Sequence, residues 1–278
     1  MSSAHKPLEA VRVAALQMTS LAEVDGNLQI AARLLGEAAA AGARIAVLPE
    51  NFCFMGRRDA DKRAVAERDG GGPIQDFLSA RARELKLWII AGTTPLSETP
   101  GDRVAAACLV YDDRGERAAR YDKIHLFDVD IPGKDEKYRE SSNIAPGSRM
   151  QLVPTPAGLL GLSVCYDMRF PELYRPMSAA GAQWFTVPAA FTVPTGRAHW
   201  ETLLRARAIE NLAFVVAPGQ WGRHASGRET YGDSIIIDYW GTVLARLPTG
   251  QGIVVADLDL EAQRTARRDF PALSHRVL

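Results

Sequence analysis

Three residues of types that cooperate in acyl transfer stand where strands should end. Cys165 follows the apolar run Leu159-Leu160-Gly161-Leu162-Ser163-Val164 and precedes Tyr166-Asp167-Met168-Arg169-Phe170-Pro171-Glu172. That pattern predicts a strand giving way to a turn and a helix, and α/β folds expose nucleophiles at the carboxyl ends of strands. A core cysteine is the plain alternative, because cysteine is among the most buried residue types. The polar and aromatic residues after it argue against that alternative, since a core strand stays apolar. Glu50 closes Ile45-Ala46-Val47-Leu48-Pro49-Glu50. Burial at a strand end raises a carboxyl pKa and suits it to take a proton from a thiol; a surface loop glutamate is the plain alternative. Lys123 lies between Tyr121-Asp122 and Ile124-His125-Leu126-Phe127. A fixed ammonium stabilises an oxyanion in a dry site, whereas a solvated lysine beside Asp122 needs no such role.

The elements needed to position these groups are legible in the hydrophobic pattern. Strands are predicted at 11–18, 45–48, 87–92, 104–111, 118–121, 159–164, 184–187, 214–217, 234–238, 242–245 and 253–258. Helices are predicted at 27–41, ended by Gly42, at 74–86, from Pro171 to near Gly181, at 199–211 and at 261–268. Asp112-Asp113-Arg114-Gly115 marks a hairpin turn. Residues 54–72 and 122–150 read as loops, the latter broken by Pro132-Gly133 and Pro146-Gly147. Strands and helices alternate, which predicts an α/β layer architecture with a mixed sheet covered by helices. Residues 1–10 read as a flexible tail and 11–278 as one domain, with no repeat or linker between.

Composition removes several function classes. The chain has 278 residues, 47% hydrophobic and 24% charged, and its formal net charge is zero. A nucleic-acid partner is not expected, because such proteins carry a basic excess or stripe. No run reaches the roughly 18 apolar residues of a membrane span, and no signal-peptide core precedes residue 10, so a cytoplasmic location is expected. Cys53, Cys108 and Cys165 are odd in number and far apart, with no CxxC pair. Neither a disulfide framework nor a zinc site is expected. His199 and His224 read as structural histidines, and no HxxxH spacing suggests a metal.

Taken together, Leu48-Pro49-Glu50, Tyr121-Asp122-Lys123-Ile124-His125-Leu126 and Val164-Cys165-Tyr166-Asp167-Met168-Arg169-Phe170-Pro171-Glu172 resemble the motifs of the nitrilase superfamily of carbon–nitrogen hydrolases, in the family's Glu, Lys, Cys order. The resemblance runs from about residue 11 to the end. It implies a four-layer α-β-β-α sandwich and catalytic roles for Glu50, Lys123 and Cys165. A second, assisting glutamate maps to Glu140 in Tyr138-Arg139-Glu140-Ser141. The implied reaction is hydrolysis of a small amide through a cysteine thioester, with the Tyr166 N–H and Lys123 holding the oxyanion and with no metal or organic cofactor. Members of the superfamily form dimers or larger assemblies, so a homo-oligomer is implied.

A narrower likeness concerns the substrate. Residues 189–201, 204–211, Gln220-Trp221-Gly222-Arg223-His224 and Tyr231-Gly232 resemble the branch of deaminated glutathione amidases, relatives of the ω-amidases. It implies Phe191 and Thr192 as substrate-binding candidates. Arg207 is a further candidate, though with Glu210 it reads equally as a structural pair. Asp233 and Tyr239 depart from the branch, which has His and Pro there. An ω-amidase acting on 2-oxoglutaramate or succinamate, an N-carbamoyl amino-acid hydrolase, and a catalytically silent binding protein on the same fold are the competing readings. Residues 126–145 form a long loop placed to act as a lid.

Overall fold

The computed structural model describes residues 10–97, 103–131 and 137–277. The first nine residues of the expected tail, and Pro132-Gly133, lie outside these. Two sheets face each other. The first has eight strands, ordered Gly252–Leu258, Val11–Gln17, Ile45–Leu48, Trp88–Ala91, Val104–Tyr111 and Thr94–Leu96, with Arg117–Asp122 and Ile144–Ala145 also paired to Val104–Tyr111. The second has six, ordered Leu152–Thr155, Gly158–Leu162, Trp184–Thr186, Phe214–Ala217, Ser234–Ile237 and Val243–Leu247. Each centres on three parallel strands joined by helical crossovers. Helices α1 (Val24–Ala40) and α2 (Pro73–Leu85) serve the first sheet, and α3 (Pro171–Ala179) and α4 (Val193–Asn211) the second. Helix α5 (Leu260–Asp269) follows the last strand. The single mixed sheet that alternation suggested is thus two sheets, and the architecture is the four-layer α-β-β-α sandwich.

Residue alternation explains the layering. In the first sheet Val13, Ala15, Ile45, Val47, Ile90, Cys108 and Val110 join the core shared with the second sheet. Their neighbours Ala14, Leu16, Ala46, Leu48, Ile89, Ala91 and Leu109 pack with Leu34, Leu35, Leu78 and Ala82 of α1 and α2. Successive side chains of a strand face opposite sides, and here both sides are apolar, so the strands read as unbroken hydrophobic runs.

The departures from the sequence reading have local causes. Helix α1 begins at Val24, three residues before the expected start. Asn27 does not cap it; its amide reaches back to the Leu21 and Cys53 carbonyls, both at 2.9 Å, and accepts from Leu21 N at 2.7 Å. Helix α4 begins at Val193 rather than 199. Pro194 is harmless in a first turn, and Gly196 is there for packing: a Cβ on it would lie 2.2 Å from the Tyr231 ring. Residues 122–150 are more ordered than a loop. They hold the hairpin Asp128–Asp130 with Lys137–Arg139, the 3-10 turn Glu140–Ser142 and the strand Ile144–Ala145. Another unforeseen hairpin pairs Trp221–Arg223 with Glu229–Tyr231. The 3-10 turn Asp59–Val65 and the strands Thr94–Leu96 and Leu152–Thr155 were likewise not evident.

Gly92 has φ 42°, and a Cβ there would lie 1.9 Å from the Pro49 carbonyl oxygen, one residue before Glu50. Gly92→Ala is expected to lower unfolding stability by about 2 kcal/mol or more, through overpacking against backbone. Urea unfolding of the variant against the parent checks this.

Candidate active site

Glu50 leaves the strand Ile45–Leu48 at its carboxyl end and is only 4% exposed. The chain then turns through Asn51, at φ 58°, whose N–H donates to Thr93 Oγ1 at 2.8 Å. Gln220 Nε2 donates to the Glu50 carbonyl at 2.9 Å and to Ser20 Oγ at 2.6 Å, which fixes the backbone. The carboxylate is divided between two partners. Oε1 accepts from Lys123 Nζ at 2.8 Å, and Oε2 from the Ala190 N–H at 2.9 Å.

Lys123 follows the strand Arg117–Asp122 and is 1% exposed. Its ammonium also donates to both oxygens of Glu140, at 2.9 and 2.8 Å. Glu140 Oε2 accepts from the Phe127 N–H at 2.6 Å, tying the segment after Lys123 to the same cluster. A buried charge must be paired and hydrogen-bonded to survive, and all three charges here are.

Cys165 lies beyond the strand Gly158–Leu162, at the start of the 3-10 turn Cys165–Arg169. Its φ is 49°, left-handed for a residue with a Cβ, which costs roughly 1–2 kcal/mol. Its N–H donates to the Pro188 carbonyl at 2.9 Å. The next residue, Tyr166, lines the same pocket. The sulfur shares a pocket with Glu50, whose charge acts on it.

Asp167 joins these parts. It is fully buried and accepts from Tyr121 Oη at 2.7 Å, the His125 N–H at 3.0 Å, His125 Nδ1 at 2.8 Å and the Val164 N–H at 2.9 Å. One carboxylate therefore grips both residues two away from Lys123 and the residue before Cys165. His125 stacks on Phe170, with ring centres 3.8 Å apart.

The electrostatics follow from burial and pairing. Burial pushes the Glu50 carboxyl up, but the adjacent Lys123 ammonium outweighs it and holds the group below its ordinary range. The upward shift expected from desolvation alone is therefore reversed. Burial pulls Lys123 down, while Glu140 and Glu50 raise it well above the usual value. Burial and the Glu50 charge push the Cys165 thiol up, against a smaller pull from Lys123. These shifts favour an ionised Glu50 carboxylate beside a neutral Cys165 thiol, with the Lys123 ammonium between the two glutamates.

Residues 12–268 match the family model described as carbon–nitrogen hydrolase. The chain belongs to the carbon–nitrogen hydrolase family. It is thus a hydrolase acting on carbon–nitrogen bonds other than peptide bonds. A relative from Homo sapiens, named deaminated glutathione amidase, is 42% identical over 281 residues, covering 99% of this chain and 84% of its own. The crystal structure of the C. elegans NitFhit protein superposes with a TM-score of 0.91 at 37% identity, over 98% of this chain and 66% of that longer one. Saccharomyces cerevisiae Nit3, titled a member of branch 10 of the nitrilase superfamily, gives a TM-score of 0.87 at 28% identity, with both chains covered completely.

In this hydrolase one pocket is lined by Glu50, Lys123, Glu140, Cys165, Tyr166, Phe191 and Thr192, all named from sequence. Arg207 does not line it. Its Nε donates to the Met168 carbonyl at 2.8 Å, Nη1 pairs with Glu210 at 2.8 Å, and the guanidinium lies over the Tyr174 ring. Arg207 thus braces the turn that carries the sulfur, as the structural pairing with Glu210 would have it. Asp233 and Tyr239 also lie off the pocket. Asp233 forms a two-pronged pair with Arg246 at 2.5 and 2.8 Å, and Tyr239 packs edge-on against Phe214. Sequence reasoning missed Asp167, which looks like any acid in a turn. It also missed Lys62 and Arg228, polar residues in segments read as irregular, both on the pocket wall.

Asp167→Asn keeps the side-chain volume but sets an amide against several donors. It is expected to cost about 2–3 kcal/mol of stability and to lower kcat with KM little changed. Urea unfolding together with steady-state kinetics checks both.

Proposed function

We propose that the chain hydrolyses the amide of deaminated glutathione through a thioester on Cys165, as one hydrolase domain spanning residues 11–278. The observation that carries the chemistry is the shared pocket of one thiol, one ionised carboxylate and one ammonium held by two glutamates. Glu50 takes the thiol proton as the sulfur attacks the amide carbon. Concerted transfer is required, because the Cys165 thiol is held neutral and the thiolate is the nucleophile. The tetrahedral oxyanion receives the Tyr166 N–H and the Lys123 ammonium, donors fixed in place before the charge develops. Glu50 returns the proton to the departing nitrogen, ammonia leaves, and a thioester remains. Water, deprotonated by the same carboxylate, then releases the acid and restores the thiol. Glu140 positions Lys123, and Phe191 and Thr192 form part of the substrate wall.

The substrate proposal rests on the name borne by the human relative and on the branch likeness in the sequence. 2-Oxoglutaramate and succinamate undergo the same chemistry. No helix among the described residues is long and apolar enough to cross a membrane. A homo-oligomer is part of the proposal, supported by exposed Ile209, Trp240 and Phe270, of which the last two pack edge to face. A cytoplasmic location is the remaining part and rests on the sequence reading.

Cys165→Ala and Cys165→Ser are each expected to lower kcat by about 10⁴-fold or more while the protein stays folded. Mass spectrometry of a trapped acyl-enzyme should find the adduct on the peptide holding Cys165. An adduct on Cys53, whose thiol burial pushes up to about 12, would reassign the nucleophile. A side-by-side comparison of kcat/KM is expected to rank deaminated glutathione above 2-oxoglutaramate, succinamate and N-carbamoyl amino acids; a different leader would revise the substrate but not the chemistry.

The pH dependence has a definite sign. A carboxyl whose pKa is lowered by folding stabilises the native state above its unfolded value and loses that contribution as pH falls through the folded value. The Glu50 window therefore lies below its ordinary 4.5. The acid limb of kcat/KM should fall there, where the base is protonated. No alkaline rise is expected across the ordinary thiol value of 9.0, since Cys165 is pushed above it. A pH profile of kcat/KM, with intrinsic fluorescence at each pH as the folding control, checks both statements.

A further inference from the structure

Beside the base stands a polar side chain without a hydrogen-bond partner among the described residues. Asn51 follows Glu50 directly, is 9% exposed and lines the pocket that holds Glu50 and Cys165. Its φ of 58° is left-handed, a conformation that glycine and asparagine tolerate best. Its hydrogen bonds are made by the backbone: the N–H donates to Thr93 Oγ1 at 2.8 Å, and the carbonyl accepts from the Phe54 N–H at 3.2 Å. Buried side-chain amides are as a rule bonded. The tight turn explains the backbone of Asn51 and leaves its carboxamide open.

The neighbouring groups on the pocket wall are poorly placed to accept a hydrogen bond. Lys62, Lys123 and Arg228 only donate. Both oxygens of Glu140 accept from Lys123, and one of them also from the Phe127 N–H. The hydroxyls of Thr192 and Thr195 bond to each other at 2.8 Å. The Ala190 carbonyl is taken by Arg228. Asn51 Oδ1 is a neutral acceptor one residue from the base. The thioester chemistry has a use for such an acceptor. Glu50 gives a proton to the departing nitrogen and later takes one from water, so nitrogen and water occupy the same place in turn. Each carries a further hydrogen that Glu50 does not hold.

We propose that Asn51 is a catalytic residue whose Oδ1 holds that further hydrogen, first on the departing nitrogen and then on the attacking water. The inference rests on the thioester reading of Cys165 and deepens it. In the first step the nitrogen gains a proton from Glu50 as its bond to carbon breaks. Its growing positive charge strengthens the bond to Oδ1, so the contact favours the transition state over the ground state. In the second step Glu50 takes one proton of the water while Oδ1 holds the other, which turns a lone pair toward the thioester carbon. The carbon–oxygen bond forms, the carbon–sulfur bond breaks, and the sulfur recovers the proton from Glu50.

The test uses two donors of the same succinyl group, succinamate and mono-p-nitrophenyl succinate. The ester has no N–H, so its acylation step bypasses Asn51 and only the hydrolysis of the thioester needs the held water. Asn51→Gly removes the carboxamide and keeps the left-handed turn accessible. It should leave the burst of nitrophenolate within about twofold of the parent rate, while the steady rate and kcat/KM for succinamate each fall about tenfold or more. Mass spectrometry should find more succinylated Cys165 peptide at steady state in this variant than in the parent. Asn51→Asp retains an oxygen acceptor and should recover most of the steady rate at neutral pH. Urea unfolding establishes that each variant is folded. A burst that falls together with the steady rate, or no change in any rate, overturns the role of Asn51 and leaves a turn residue. An Asn51→Asp variant no faster than Asn51→Gly does the same. If the succinyl group forms on Cys165 and is hydrolysed equally fast in the parent and in Asn51→Gly, the thioester reading stands and the role of Asn51 falls. If neither donor places an adduct on Cys165 of the parent, the thioester reading falls and takes the role of Asn51 with it.

Discussion

The ammonium of Lys123, buried between Glu50 and Glu140, is the interaction on which the site depends. Taking such a charge out of water costs several kcal/mol unless its partners are well placed. Both carboxylates are themselves anchored by backbone donors, the Ala190 N–H on one and the Phe127 N–H on the other. The cation keeps Glu50 ionised in a buried place that would otherwise protonate it. Burial, together with the Glu50 charge, keeps the sulfur neutral against the smaller pull of Lys123. An ionised carboxylate beside a protonated thiol is the pair that the proposed proton transfer uses.

That cluster is assembled across the fold. Glu50 and Lys123 follow strands of the first sheet, and Cys165 follows a strand of the second. The inter-sheet core, with Val13, Val47 and Val110 against Leu160, Leu162 and Val216, sets the distance between them. Asp167 then fixes the local register, since its oxygens bind the chain on both sides of that gap. Arg207 performs a similar task from α4, bonding the Met168 carbonyl within the sulfur-bearing turn.

Much of this was legible in the residues. Ile45–Leu48 and Phe214–Ala217 were read to the residue, because strands buried on both faces are continuous apolar runs with sharp ends. Cys165 and Glu50 stood out as polar groups at such ends, and the joint motif with Lys123 supplied their order. Other features were hidden by residues doing two jobs. Asn27 resembles a helix cap but is a buried clamp, and Pro194 with Gly196 resembles a loop but opens a helix. The hairpin holding Arg228 has no apolar alternation, because it is built on backbone pairing and on the seat of Tyr231 against Gly196. Asp167 could not be singled out, since its importance lies in four donors brought from elsewhere in the chain. Arg207 invited a functional reading for the opposite reason, a charge in a conspicuous motif whose partners prove to be the Met168 carbonyl and Glu210.

The division of the chemistry between the sheets has a consequence for the chain as a polymer. The strand Ile144–Ala145 is the last of the first sheet before the chain crosses, and Leu152–Thr155 opens the second. The first sheet is not self-sufficient, for its edge strand Gly252–Leu258 arrives from the far end of the sequence to pair with Val11–Gln17. Synthesis must therefore pass Leu258 before the first sheet can be completed. A ribosome-bound fragment ending near residue 150 holds Glu50 and Lys123 but not the Cys165 sulfur, so it lacks one of the three groups that the proposed chemistry needs.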